Sequence, residues 1–195
     1  MLAESNIITV LVNFMTYFML HRDFREGLIQ AGTNVANAML DDMASPTLDW
    51  PPLYDLTIPD QIAAQGYAFE QHTITTPDGY ILTAFRVPGK IGEPIVKGAK
   101  QPIYMQHGLI DDGGTWFFND HTLDLSLELV DRGYDIWVTN SRGTAFSNQH
   151  TTYTVKDKEF WDFSFHEMGK YDVPSNLKYI LSETQHDQVI YFGHT

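Results

Sequence analysis

The chain has 195 residues, 43% hydrophobic and 13% aromatic, enough for one domain with a sizeable core and too apolar for low-complexity disorder. Its formal charge of -13 excludes the clustered basic surface that a nucleic-acid partner requires. With no Cys, disulfide staples, Cys-based zinc sites and a Cys nucleophile are excluded as well.

An apolar run occupies residues 7–20, interrupted only by Thr9, Asn13, Thr16 and the hydroxyl of Tyr17. It falls short of the roughly 20 residues of a membrane span and suits the core of a signal peptide. Against the latter, Glu4 precedes the run, no Lys or Arg does, and the small-x-small stretch Ala36-Asn37-Ala38 lies far away. A targeting or membrane-associated helix and an ordinary buried or amphipathic helix both stand open. No Asn-x-Ser/Thr acceptor occurs.

Asp49-Trp50-Pro51-Pro52 and Pro59 read as an extended connector, because Pro and the residue before it disfavour helix. Residues 69–75 alternate polar and apolar, Pro77-Asp78-Gly79 makes a turn, and residues 80–87 form a second strand; Asp-Gly between two such runs predicts a hairpin. Residues 89–100 read as a loop. Residues 102–106 are a short apolar strand followed by a Gly-containing loop over 108–114. Residues 123–130 are read as a helix that Gly133 can cap, and 134–138 as another buried strand. Residues 159–182 contain helical segments, with Pro174 in the first turn of the second and Asp172 as its cap. Residues 188–192 are the last strand. This alternation predicts an α/β fold, a mainly parallel sheet flanked by helices, with an antiparallel hairpin at the start.

Two strand ends carry chemistry. The last strand runs into Gly193-His194-Thr195. In a nucleophile elbow, Gly-x-Ser-x-Gly follows a buried strand, and its strained turn lifts the nucleophile clear of the sheet. Gly193 holds the first Gly position and Thr195 the nucleophile position. By themselves these three residues read as a strand ending in a Gly turn rather than as an elbow. The second feature is the strand Ile103-Tyr104-Met105 running into Gln106-His107-Gly108-Leu109. In α/β-hydrolases the loop at this place supplies one oxyanion N–H, a donor whose loss costs about 3 kcal/mol of barrier in a comparable site.

Five stretches then resemble the acid lipase family, which includes gastric and lysosomal lipases. They are Gly66-Tyr67 with Thr76-Pro-Asp-Gly-Tyr-Ile-Leu82; Tyr104-Met-Gln-His-Gly-Leu109 with Trp116; Gly133-Tyr-Asp-Ile-Trp137 with Asn140-Ser-Arg-Gly143; Phe160-Trp-Asp-Phe-Ser-Phe165 with Glu167-Met168 and Lys170-Tyr-Asp172-Val-Pro174; and Tyr191-Phe-Gly-His194. Their order and spacing match across residues 50–195. The resemblance divides the chain into an N-terminal segment, 1–45, and a partial α/β-hydrolase lipase domain, 46–195. It implies a lipid ester hydrolase acting on triacylglycerols or steryl esters through a Ser-His-Asp triad, with no cofactor and no metal. Leu109 would give an oxyanion N–H, and Thr195 stands where the nucleophilic Ser should be. The second oxyanion donor, the acid, the base and the lid would follow residue 195. The implied partner is a neutral lipid ester, met at a membrane or lipid-droplet surface, in a secreted or lysosomal setting.

Thr195 departs from the family pattern. Its extra methyl restricts χ1 and crowds a strained turn, so a poor or inactive esterase is expected. A chain ending at residue 195 is expected to be inactive alone, and to aggregate through the edge of its last strand. The alternative is a non-catalytic hydrolase-like protein that binds a lipid or a partner.

Other candidates read as structural. His166-Glu167-Met168-Gly169-Lys170 lacks the second His of a zinc motif. His107 reads as a positioning residue rather than the triad base, Asp111 and Asp112 as a solvated loop, and Arg142 and Asp172 as internal hydrogen-bonding groups. His72, His121, His150 and His186 read as surface residues. Trp116, Phe117 and Phe118 either line an acyl pocket or cover the core.

Overall fold

The computed structural model describes residues 56–119 and 123–194. The run at residues 7–20, His121 and Thr195 lie outside them.

The described chain begins with a helix around Pro59, where the sequence suggests an extended connector; the rest of that connector, residues 49–52, lies outside the described residues. Helix α1 (Ile58–Ala64) is capped by Thr57, whose side chain accepts from the Asp60 N–H, and it carries Pro59 in its first turn. The correction has a simple cause: a first-turn proline gives up an N–H that has no partner there anyway.

Strands β1 (Glu70–Thr75) and β2 (Tyr80–Val87) form the expected antiparallel hairpin, with Glu70 opposite Arg86 and Thr75 opposite Ile81. Gly79 has φ +98°, a conformation open to glycine, and its N–H donates to the Thr76 carbonyl at 3.0 Å. Strand β3 (Pro102–Gln106) leads through a 3-10 turn (Gly113–Phe117) to helix α2 (Leu125–Asp131), and strand β4 (Asp135–Thr139) follows. Asp124 caps α2 by accepting from the Ser126 and Leu127 N–H groups. At the other end Gly133, at φ +90°, closes the helix with N–H donation to the Val130 carbonyl. After a two-residue strand β5 (Gln149–His150), the chain makes a 3-10 turn (Lys158–Trp161), a short helix α3 (Phe165–Glu167), a π-helical turn (Met168–Asp172) and helix α4 (Val173–Thr184). Strand β6 (Ile190–Gly193) is last.

The sheet runs β1-β2-β4-β3-β6, with β5 paired to β2. The first pairings are antiparallel; β4, β3 and β6 are parallel. Alternation along the strands sends side chains to two cores. Phe85, Val87, Ile103, Met105, Ile136 and Val138 meet Ile62 of α1 and Leu127 and Val130 of α2 on one face. Leu82, Ala84, Tyr104 and Trp137 meet Phe160 and Ile180 on the other. Each fully buried aliphatic or aromatic side chain contributes roughly 1.5–3 kcal/mol, so the two layers fix the strand register. This is the expected mainly parallel α/β sheet flanked by helices, with the antiparallel hairpin at its start.

Candidate active site

Parallel pairing brings three strand ends to one place. Gln106 at the end of β3 lies beside Thr139 of β4 and Gly193 of β6. The residues after all three strands therefore emerge together at the carboxyl edge of the sheet, where open α/β sheets bind ligands. An open cleft of about 750 Å³ lies there, walled by Leu109, Ile110, Trp161, Phe163 and Met168, with Asp111 among its polar groups.

The end of β3 is held by side-chain hydrogen bonds. The Gln106 amide oxygen accepts from the Tyr104 and Thr139 hydroxyls, both at 3.0 Å, and its amide nitrogen donates to the Ser141 hydroxyl at 3.0 Å. His107 is buried, at 5% exposure. Its Nε2 accepts from the Ser141 N–H at 3.0 Å, so Nδ1 carries the proton and donates to the Gly108 carbonyl at 2.7 Å. This tautomer leaves no free lone pair for general-base work, and the positioning role read from sequence fits the geometry. Leu109 follows with its side chain 67% exposed, and among the described residues no group accepts a hydrogen bond from its N–H.

Gly193 and His194, at the end of β6, reach the same edge. The His194 N–H donates to the Gln106 carbonyl at 3.3 Å, its Nε2 lies 3.6 Å from an Asp111 carboxylate oxygen, and its ring meets Trp116 edge-on at 5.1 Å. Thr195 itself lies outside the described residues.

The connection after β4 forms the floor. Asn140 accepts from the Gly113 N–H at 2.8 Å and donates its amide to the Thr83 carbonyl at 3.0 Å. A β-carbon on Gly113 would sit 2.8 Å from Val138 Cγ1 and 3.0 Å from Asn140 Oδ1, so the turn approaches β4 as closely as glycine permits. Arg142, 1% exposed, forks between two carboxylates. Its guanidinium donates to both Asp78 oxygens, at 2.6 and 3.0 Å, and to Asp172 at 2.8 Å, and it lies 3.9 Å from the centre of the Tyr80 ring. Burial lowers the proton affinity of the guanidinium, but its bonds to Asp78 and Asp172 outweigh this and hold it above the ordinary value. Burial raises Asp78, yet hydrogen bonds from Arg142 and Thr76 bring its carboxyl below the usual range. Asp172 is more deeply enclosed, and burial leaves it above that range despite Arg142.

Several site readings change. Asp172 is an internal partner as expected, but its side chain makes no cap bond to α4; the carboxylate is committed to Arg142 and to the Arg142 N–H at 2.9 Å. Asp112 caps the 3-10 turn by accepting from the Gly114 N–H at 2.8 Å. Phe117 belongs to the core, Trp116 packs against that core and His194, and Phe118 is exposed, so Trp161 and Phe163 are the aromatic walls of the cleft. His72 is not a surface residue: its ring packs tilted against Trp137 at 4.7 Å between centres, Nδ1 lies 3.0 Å from the Tyr179 hydroxyl and Nε2 3.1 Å from Glu70. His150 is likewise tied, with Nε2 donating to the Asp78 carbonyl. Among the described residues no group of three or more His, Asp or Glu could hold a metal ion.

Residues 58–120 match the family model described as the partial alpha/beta-hydrolase lipase region. The lysosomal acid lipase/cholesteryl ester hydrolase of Homo sapiens is 38% identical over 144 residues, covering 74% of this chain and 36% of the relative. Lipase member K of Homo sapiens matches at 38% over the same shares of both chains. The gastric triacylglycerol lipase of Rattus norvegicus is 37% identical over 145 residues, 74% of this chain and 36% of that protein. The chain spans about a third of the length of these curated relatives. The chain is thus similar to lysosomal and gastric lipases, and its residues 58–120 match the partial alpha/beta-hydrolase lipase region.

Proposed function

We propose that the cleft is the acyl-ester site of a lipid ester hydrolase whose substrates are triacylglycerols or steryl esters. One observation carries this reading: the parallel register that sets Gln106 beside Gly193, with the His194 N–H bonded to the Gln106 carbonyl. That register supports a reading in which the Leu109 loop and the turn after Gly193 act at one point, as acyl transfer requires. The Leu109 N–H serves as one oxyanion donor. The hydroxyl of Thr195 takes the nucleophile position, attacking the ester carbonyl and releasing the alcohol. Its proton must pass to a base other than His107, whose ring nitrogens are both engaged. The apolar walls Ile110, Trp161, Phe163 and Met168 suit an acyl chain. Residues 46–195 form this partial lipase domain and residues 1–45 a separate segment. The names of the relatives, acid lipases of lysosome and stomach, support a secreted or lysosomal setting. Contact with a membrane or lipid-droplet surface fits such a substrate; among the described residues no helix is long and apolar enough to cross a membrane.

Thr195 supports a second reading, a hydrolase-like protein that binds lipid esters without turning them over. The γ-methyl restricts the nucleophile's χ1 at the one turn where its direction matters. The test is Thr195→Ser in the full-length protein, with triacylglycerol and steryl ester emulsions as substrates. The enzyme reading expects a gain of at least about tenfold in kcat, a barrier change of about 1.4 kcal/mol. Equal activity of the two forms overturns the assigned weakness of Thr195. Binding without turnover in both forms establishes the second reading.

A further inference from the structure

Gln106 closes β3 at the cleft, and its side-chain amide is saturated. A primary amide offers two acceptor positions and two N–H donors. Here the oxygen accepts from the Tyr104 and Thr139 hydroxyls, and the nitrogen donates to the Ser141 hydroxyl at 3.0 Å and to the His107 carbonyl at 3.4 Å. The side chain thus joins β3 to β4 and to the connection after it. The main chain of the same residue reaches the turn after β6, because its carbonyl accepts from the His194 N–H. Further in, the Tyr104 hydroxyl accepts from the Asn176 amide at 3.4 Å. Tyr104 and Asn176, the latter on α4, are fully buried. Burial raises the Tyr104 hydroxyl above its ordinary value, so it stays protonated and keeps its proton for Gln106. The Asn176 amide oxygen has no partner among the described residues. A buried oxygen without a donor weakens a fold, so packing does not explain an amide at this place.

We propose that Gln106 is a positioning residue for acyl transfer, its amide aligned by a hydrogen-bond chain that starts at Asn176 and sets the Leu109 loop relative to the turn after Gly193. The proposal rests on the acyl-ester reading above. The chain runs in one direction: the Asn176 N–H donates to Tyr104, the Tyr104 O–H to Gln106, and the Gln106 N–H to Ser141. Each proton is placed by the one before it, so the Gln106 amide cannot turn over without breaking its bonds to Tyr104, Thr139, Ser141 and His107 together. The Ser141 N–H in turn holds His107 Nε2, and His107 Nδ1 holds the Gly108 carbonyl. That carbonyl and the Leu109 N–H belong to one planar trans peptide unit and point in opposite directions. The direction of the Leu109 N–H is therefore set through Ser141, which Gln106 anchors. Tyr104 and Asn176 are not among the residues that line the cleft. Their effect falls on the chemical step and not on ester binding, because a displaced donor loses its hold on the oxyanion that forms only during attack.

Steady-state hydrolysis of soluble p-nitrophenyl butyrate decides, with the full-length protein carrying Thr195→Ser as parent and urea unfolding of each variant alongside. Gln106→Met keeps the side-chain length and removes the amide; kcat should fall about hundredfold with KM within about twofold of the parent. Tyr104→Phe keeps the buried ring and breaks the chain at one hydroxyl; kcat should fall about tenfold. Asn176→Leu should lower kcat about threefold while the urea midpoint stays or rises, because the unpartnered oxygen is gone. A purely structural role would move both downward. The double variant Tyr104→Phe/Asn176→Leu should match Tyr104→Phe alone in kcat, since the chain is already broken. Ile180→Val, on the same buried face of α4, should lower the urea midpoint and leave kcat unchanged. Gln106→Met at the parent kcat, Asn176→Leu losing stability and rate together, rate losses that multiply in the double variant, or a slowed Ile180→Val overturns the positioning chain while leaving the cleft reading intact. If Gln106→Met does not fold, Tyr104→Phe at the parent kcat overturns it alone. Absence of turnover by the parent overturns the acyl-ester reading and the inference with it.

Discussion

Two connections meet at the carboxyl edge of the sheet and are anchored by different means. The one after β4 contains a cation: Arg142 is closed between Asp78 on the hairpin turn and Asp172 at the π-helical turn. The one after β3 ends on Asp124, 3% exposed, which has N–H and O–H donors from Ser126 and Leu127 and, among the described residues, no cation bonded to it. Burial pushes the Asp124 carboxyl up to about 6 against those hydrogen bonds. The first connection is a buried cation between two carboxylates; the second is a buried acid whose carboxyl burial holds above its ordinary value. The connection on the floor of the cleft is thereby held by ion pairs, and the one carrying Leu109 and Asp111 by hydrogen bonds to a single buried carboxyl.

The sharpest way to break this contrast is Arg142→Met. Removing the guanidinium leaves Asp172, 1% exposed, buried with no cation, and takes both bonds from Asp78. Breaking a buried pair from one side costs about 3–5 kcal/mol. Urea unfolding at neutral pH should show a loss of that size. A loss below about 1 kcal/mol would mean that the hairpin turn and α4 hold together without the clamp.

Asp124→Asn separates the two anchors by pH. The native carboxyl stands at about 6 against an ordinary 3.8. Its contribution to stability is therefore complete below about pH 4 and is lost as pH rises through about 6. With about 1.4 kcal/mol per pKa unit, the loss has a ceiling of about 3 kcal/mol. Asn keeps an oxygen for the Ser126 and Leu127 N–H groups and does not titrate in this range. The difference in unfolding free energy between wild type and variant should thus shift against wild type between about pH 4 and about pH 6. Parallel pH curves for the two proteins would remove Asp124 from the account. Asp78, held below the usual carboxylate range, acts with the opposite sign: its contribution is present above its ordinary value and is lost as the pH falls further.

The same contrast separates what the sequence disclosed from what it did not. The core strands β2, β3 and β4 were readable because they are short apolar runs bounded by turn residues, and the loop after β3 because His-Gly follows such a run. Helix α1 was hidden by Pro59, which breaks a helix interior but fits its first turn. The Asp111–His194 and Arg142–Asp172 pairings were hidden because each joins segments that only the sheet order brings together. His72 was misplaced for a related reason. It lies opposite Ala84 on a half-polar strand, and the packing of Trp137 and Tyr179 against it covers a face that strand alternation alone leaves open.

The smallest expected effect tests the lightly held side directly. Leu109→Ala removes a side chain that is 67% exposed, so little apolar surface is lost from the folded state. Exposed substitutions of this kind stay within about 0.5 kcal/mol, an order of magnitude below the Arg142 effect. The proposed work of Leu109 is done by its backbone N–H, which alanine keeps. Leu109→Ala should therefore unfold in urea with the wild-type midpoint. A destabilisation matching that of Arg142→Met would show that the loop after β3 is itself a structural anchor, and the division of labour between the two connections would fall.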